Sequence, residues 1–170
     1  SEMCIRDRAL NPDSPLGKLM ATLPQTGQVT WIGVRPARDV AMLEVDAAQA
    51  TTGIGLVGDR YKGGSGKRGI TLIQAEHLPV IAALAGQAAL APATLRRNLV
   101  VAGIPLIALK GRRFRIGEVE LEGTDPCDPC SRMEEALGPG GYNAMRSHGG
   151  LCARILRGGV LRIGDTVQAL

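Results

Sequence analysis

Leu151-Cys152-Ala153-Arg154-Ile155-Leu156-Arg157-Gly158-Gly159-Val160-Leu161-Arg162-Ile163-Gly164-Asp165-Thr166-Val167-Gln168-Ala169-Leu170 is the stretch that decides the fold. Leu151 to Leu156 and Val160 to Ile163 are apolar-rich runs on either side of Gly158-Gly159, and Thr166 to Leu170 is a third. A Gly-Gly pair between two such runs is a strong two-residue hairpin signal, so the segment reads as a hairpin plus one strand. Upstream, Arg113 to Ile116, Gly117 and Glu118 to Leu121 read as two strands around a turn. Arg115-Ile116-Gly117-Glu118-x-Glu120 is echoed by Arg162-Ile163-Gly164-Asp165-x-Val167, a repeated strand–glycine kink–strand device. Many short strands at close spacing, with few helices, predict a mainly β fold: a closed β-barrel with a few short helices.

Val29 to Val34 is β-branched and aromatic, a strand by composition, and Val40 to Val45 alternates well enough for a second. A glycine-rich stretch follows, with Gly53, Gly55, Gly58, Gly63, Gly64, Gly66 and Gly69 enclosing Asp59, Arg60, Lys62, Lys67 and Arg68. Gly69 to Ile73 reads as a short strand. Ala75 to Ala85 carries Leu78, Ile81, Ala82 and Ala85 at helical spacing, stops at Gly86, and tolerates Pro79 near its first turn. Asn98 to Val101 reads as a further strand. Residues 1–24, punctuated by Pro12, Pro15 and Pro24, hold no period and are expected to be a tail outside the fold, leaving 25–170 as one domain.

Composition excludes several classes. The chain has 170 residues, 45% hydrophobic and 21% charged, which is globular rather than disordered. Its aromatic residues are Trp31, Tyr61, Phe114 and Tyr142, too few for a base-stacking nucleic-acid binder. The net charge is +4 and the isoelectric point about 9.1, which suits either an anionic ligand or a solvated surface. No apolar run reaches the ~18 residues of a membrane span, and no apolar leader opens the chain, so the expectation is a cytoplasmic protein. Four cysteines make no disulfide framework. In a reducing compartment, cysteines close together in sequence point to metal binding or catalysis.

Cys127-Asp128-Pro129-Cys130 follows a predicted strand and precedes Ser131 to Leu137, which has the length of one or two helical turns. A cysteine at a helix start faces unpaired N–H groups that favour thiolate, the form that binds metal, attacks or carries sulfur. The plain alternative is a pair of small buried residues at a turn. Three chemistries could use the pair. Cys127, Cys130, His148 and Cys152 approximate a zinc-ligand spacing, although the strand pattern puts Cys152 on one face with Arg154. C-x-P-C between strand and helix is also a dithiol redox pattern, with little chain left for a thioredoxin-like fold. The third is sulfur or metal-cofactor handling by one cysteine.

A run of motifs carries that third reading. Gly58-Asp59-Arg60-Tyr61, Arg68-Gly69-Ile70-Thr71-Leu72-Ile73-Gln74, Arg96-Arg97-Asn98-Leu99-Val100-Val101-Ala102-Gly103, Asp125-Pro126-Cys127-Asp128-Pro129-Cys130, Gly149-Gly150-Leu151-Cys152-Ala153-Arg154 and Gly159-Val160-Leu161-Arg162-Ile163-Gly164-Asp165 occur in order. Together, over Gln28 to Val167, they resemble the MOSC domain, named for the C-terminal domain of molybdenum cofactor sulfurase, and in particular its small stand-alone bacterial members. Two departures stand out. Tyr61 replaces the histidine of the family's GDRH box, and the additional domains of the larger relatives are absent from this sequence.

The resemblance implies a barrel of the pyruvate-kinase-barrel-like type. It also implies one functional cysteine, Cys130, that ligates the molybdenum of the pterin cofactor (molybdopterin) or carries sulfur from a pyridoxal-phosphate-dependent cysteine desulfurase. Either a sulfur-transfer role or reduction of N-hydroxylated compounds would follow. With no dinucleotide fingerprint in the sequence, reduction would need an external electron donor. The residue chemistry fits: thiolates suit soft metals, and arginine forks suit phosphate oxygens. Arg96, Arg97, Arg68 and Lys67 are the candidate phosphate contacts, with Arg154 next, and Arg60 and Lys62 are further candidate cofactor contacts. Asp59 lies where glycines let backbone N–H groups approach an anion, Asn98 could bond the pterin or hold a loop, and His148 sits beside Gly149-Gly150. His77 reads as a structural residue on a helix face. The alternative from another class is a non-catalytic module with a structural zinc on the Cys/His set.

Overall fold

The computed structural model describes residues 11–61 and 64–170, so Lys62 and Gly63 lie outside the described residues. Seven strands close into a barrel: β1 (Gly27–Val34), β5 (Ile70–Gln74), β6 (Leu99–Ala102), β7 (Arg113–Ile116), β8 (Val119–Pro126), β9 (Leu151–Arg157) and β11 (Thr166–Ala169). Their order is β11-β7-β8-β9-β5-β6-β1, and β1 pairs back onto β11 through Gly27↔Val167. Every pair is antiparallel except β5–β6, which runs parallel with Leu72 opposite Leu99. A parallel pair needs a crossover, and α2 (His77–Leu84), with Pro79 in its first turn, lies within it. The barrel and short helices expected from the sequence are therefore present.

Alternation explains the closure. In β7 the burial runs exposed–buried–exposed–buried, so Phe114 and Ile116 enter the barrel while Arg113 and Arg115 face out. β8 continues the pattern with Val119 and Leu121 inward, and the β7–β8 turn is the hairpin expected around Gly117. Ile32, Ile70, Leu72, Leu99, Leu109 and Ile155 complete an interior in which each is at most 2% exposed. Each such side chain contributes roughly 1.5–3 kcal/mol of transfer free energy. A second apolar layer coats part of the outside. Trp31, Ile73 and Val100 point outward and pack on α2, α3 (Ser131–Leu137) and α4 (Gly141–Met145) through Ile81, Met133, Leu137 and Met145.

Three expectations differ from the structure. Gly158-Gly159 is not a hairpin turn: β10 (Gly159–Arg162) leaves β9 and pairs with β3 (Ala47–Thr51), which pairs with β4 (Gly55–Leu56) in a separate three-stranded sheet. The glycines serve close approach instead, since a Cβ on Gly158 would sit 2.5 Å from the Ala50 carbonyl oxygen. The strand expected over Val40 to Val45 shrinks to β2 (Leu43–Glu44) on the barrel's edge. Within the stretch read as a tail, Pro15–Ala21 forms α1, capped by the Ser14 hydroxyl accepting from the Gly17 N–H at 3.0 Å, and Leu23 packs on the barrel core. Among the described residues no helix is long and apolar enough to cross a membrane.

Candidate functional site

The expected site residues lie mostly on the outer face of the wall formed by β6, β5, β9 and β8. Period 2 dictates this. Leu72, Leu99, Leu151 and Ala153 point into the barrel, so Thr71, Asn98, Cys152 and Arg154 point away from it.

Asn98 is the hub. Its side chain is fully buried, and its amide nitrogen donates to the Gly33 carbonyl at 3.1 Å and to Asp59 Oδ1 at 3.2 Å. Its Oδ1 accepts from the Thr71 N–H and hydroxyl, both at 3.1 Å. Asp59 in turn receives the Arg35 backbone N–H at 2.7 Å and the Arg35 guanidinium at 3.0 and 3.2 Å. Burial alone would raise the Asp59 pKa, but the hydrogen bonds and charge of Arg35 outweigh it and hold the carboxyl below its ordinary value. Arg97 is buried as well, and donates to the carbonyls of Gly149, Leu95, Cys127 and Asp128 at 2.8 to 3.3 Å. The guanidinium thereby ties the cysteine box to the Gly149-Gly150 turn. In this structure Asp59, Arg97 and Asn98 spend their polar atoms on the protein itself. They hold the site's loops in place.

The cysteines divide into a buried pair and an exposed single. Cys127 donates its N–H to the Gly150 carbonyl at 2.8 Å, next to the Pro126↔Leu151 pairing, which leaves Cys127 and Cys152 diagonal neighbours on the outer face. Both are 2% exposed, and each thiol shifts the other's pKa. Hydrogen-bonding stabilisation by the Cys152 thiol lowers the Cys127 pKa to about 6; burial opposes the shift, and the charges of Arg97 and Arg68 reinforce it. Cys152 is pushed up by the same interaction and by burial. Burial lowers the Arg68 pKa, but the charges of Cys152 and Cys127 overcome it, and the net effect is a raised value. Cys130, by contrast, is exposed, at the residue preceding α3, where its carbonyl accepts from the Met133 N–H at 2.9 Å.

The helix that follows Cys130 contributes to a cluster of guanidinium groups around the 37–40 loop. Arg132, in the first turn of α3, donates to the Arg38 carbonyl and pairs with Asp39 at 3.1 Å. Arg96 donates to the carbonyls of Val40, Ala37 and Arg38 at 2.8 to 3.3 Å, so both arginines grip the same loop. Burial, and then the like charges of Arg132, Arg35 and Arg60, push the Arg96 pKa below its ordinary value. Among the described residues, the carboxylates that engage these four cations are Asp59 and Asp39. Cations outnumber carboxylates in this cluster, and the guanidinium groups of Arg35, Arg96 and Arg132 are held by the protein's own carbonyls and carboxylates. Arg96 also has a left-handed backbone, φ +57°, uncommon for a residue with a Cβ and found where surrounding structure demands it.

Two expected contacts have partners within the protein. Arg154 is on the expected face, but it pairs with Glu122 at 2.8 Å. His148 packs edge-on against His77, with ring centroids 4.9 Å apart. The zinc reading is corrected by this arrangement: among the described residues no three His, Cys, Asp or Glu side chains converge as metal ligands. Cys127 and Cys152 do meet, but Cys130 faces solvent and His148 turns to His77. Sequence reasoning missed Arg35 and Arg132. Arg132 stands two residues after Cys130, a local signal; Arg35 carries none, because only folding brings it to Asp59.

Comparison with known proteins agrees with this architecture. None of the curated proteins matches the sequence. The chain superposes on the crystal structure of YuaD from Bacillus subtilis with a TM-score of 0.77 and 19% identity, covering 87% of this chain and 98% of that one. YiiM from Escherichia coli gives a TM-score of 0.65 and 20% identity, over 84% and 69% of the two chains. YiiM from Geobacillus stearothermophilus gives 0.67 and 18%, over 85% and 75%. At these identities the likeness is one of fold. The family model described as the MOSC domain matches residues 59–168, from the Asp59 of the buried network to the last strand of the barrel, and on that match the chain belongs to the MOSC domain family.

Proposed function

We propose that the protein binds molybdenum cofactor or a derivative of it, with Cys130 as the functional thiol and Arg35, Arg60, Arg96 and Arg132 as the cradle for the cofactor's phosphate. The observation that carries this reading is the exposed thiol at the start of the helix that bears Arg132, whose guanidinium grips the same loop as Arg96. A soft thiolate suits molybdenum, and planar guanidinium forks suit phosphate oxygens, so the donor set fits the group. Asn98, Asp59 and Arg97 keep the cradle rigid, so that little ordering cost remains when a ligand arrives.

The cofactor, when bound, would supply two-electron oxygen-atom exchange, with electrons from an external donor and N-hydroxylated compounds as the substrate class. Alternatively, Cys130 holds transferable sulfur received from a cysteine desulfurase. Both roles place the protein in a reducing compartment such as the cytoplasm, where its thiols stay free.

The test is elemental and labile-sulfur analysis of wild type and Cys130→Ala, both purified from cells that make molybdenum cofactor. Molybdenum in the wild type and its loss in the variant support the ligand role. Cyanide-labile sulfur without molybdenum, again lost in the variant, supports the carrier role. A wild type with neither, or a variant that keeps both, overturns the reading.

A further inference from the structure

At the end of the barrel where β5 and β8 finish lies a cleft of about 160 Å³, lined by Gln74, His77, Leu106, Lys110, Ser147 and Leu151 among others. No residue of the arginine cradle and no cysteine lines it. Its walls are built in advance. Gln74, 8% exposed, donates to the Ile104 carbonyl and accepts the Leu106 N–H, both at 2.9 Å, which fixes the loop that carries Leu106 and Lys110. Glu76, the nearest carboxylate on that side, is engaged by the Gln74 amide at 2.9 Å and the Gly103 N–H at 3.0 Å.

Three residues lining this cleft, Ser147, His77 and Lys110, have no role in the fold described so far, and His148 packs against one of them. Ser147 holds a left-handed backbone, φ +67°, strain of a kind that clusters at ligand sites. His148, next to it, has a buried Nδ1 with no hydrogen-bond partner among the described residues, and such groups in a native structure call for a reason. His77 packs edge-on against that ring, and burial followed by the proximity of His148 pushes its pKa down, so it offers a neutral N–H at neutral pH. Lys110 is exposed and, among the described residues, forms no ion pair.

We infer that this cleft is a second ligand site, separate from the cradle, for a compact monoanion with an apolar body. Lys110 takes the negative charge. The Leu106 and Leu151 walls take the apolar part, and His77 and Ser147 supply hydrogen-bonding groups in its lining. A small carboxylate with a flat ring meets all three requirements.

The chain contains only two histidines; His77 lines the cleft and His148 packs against it, so ring C–H signals of histidine-labelled protein report on a ligand bound there. Benzoate is the probe and benzamide its neutral counterpart. Titration with benzoate is expected to shift both histidine signals saturably. Benzamide and Lys110→Glu should each weaken binding about tenfold or more, the scale of one charge-assisted contact. Cys130→Ser should titrate as wild type, which separates this site from the cofactor reading. Failure of benzoate to shift either histidine, equal affinity for benzamide, or a Lys110→Glu variant that binds benzoate undiminished overturns the inference.

Discussion

Asn98→Asp is a nearly isosteric change that turns the buried hub against itself. The new carboxylate oxygen would stand where the amide nitrogen is, 3.2 Å from Asp59 Oδ1 and 3.1 Å from the Gly33 carbonyl. Two unit charges ~3 Å apart repel by about 5 kcal/mol at an effective dielectric of ~20. Protonating one carboxyl at pH 7 costs about 4 kcal/mol, given a reference pKa of ~3.9. The second route is cheaper, so the folded variant takes up one proton that its unfolded chain lacks. A single O–H also replaces two N–H donors, leaving one buried acceptor unpaired for a further ~1–3 kcal/mol. The expected loss at pH 7 is therefore about 5–7 kcal/mol, a large part of a typical domain's 5–15.

The sign with pH follows. The folded variant binds more protons than the unfolded chain between roughly pH 4 and 7, so its deficit shrinks by about 1.4 kcal/mol for each unit of acidification. Denaturant titrations at pH 7, 6 and 5, following the fluorescence of Trp31, measure this directly. Trp31 is the only tryptophan, is 8% exposed and packs in the outer apolar layer. Asn98→Ala is the control, with a pH-independent loss. A deficit for Asn98→Asp that does not change with pH, or one under ~1 kcal/mol, would refute the bridging of Asp59 and Gly33 by Asn98.

Two further outcomes are expected. In a Cys130→Ser background, thiolate absorbance at 240 nm should rise in a step near pH 6 that Cys127→Ser removes. The folded thiol is deprotonated from about pH 6 and the unfolded one only from about 9, so this group adds stability as pH rises across that interval. A titration showing only steps near the ordinary thiol value would contradict the Cys127–Cys152 arrangement. Gly150→Ala should fail to fold or lose more than ~4 kcal/mol, because its Cβ would meet the Leu72 carbonyl oxygen in a strand pairing, at φ +97°. Gly111→Ala, at φ +70° in open space, should cost only ~1–2 kcal/mol, and thermal melts of the two compare them. Equal melting temperatures would refute the close approach.

The sequence alone determined those elements whose partners are near in the chain. The β7–β8 hairpin was legible because alternation and the Gly117 turn are both local, and α3 was legible because Ser131 to Leu137 follows a proline-punctuated loop. The ordered boxes that match the MOSC domain were legible too, because each is a short run whose identity survives without knowledge of its neighbours. The tertiary structure decided the rest. β10 pairs with β3, more than a hundred residues upstream, and Ala47–Thr51 has too little apolar contrast to announce a strand. Arg35 meets Asp59, and Asn98 meets both Gly33 and Asp59, only because the closed sheet brings β1 beside β6. The same closure divides the cysteines. Strand register places Cys127 beside Cys152, while three residues later the chain turns outward and leaves Cys130 exposed at the start of the helix that bears Arg132. Motif spacing names the residues of such a site. Which of them face a ligand and which are consumed in holding the others depends on where buried hydrogen bonds are satisfied, and that is a property of the closed barrel.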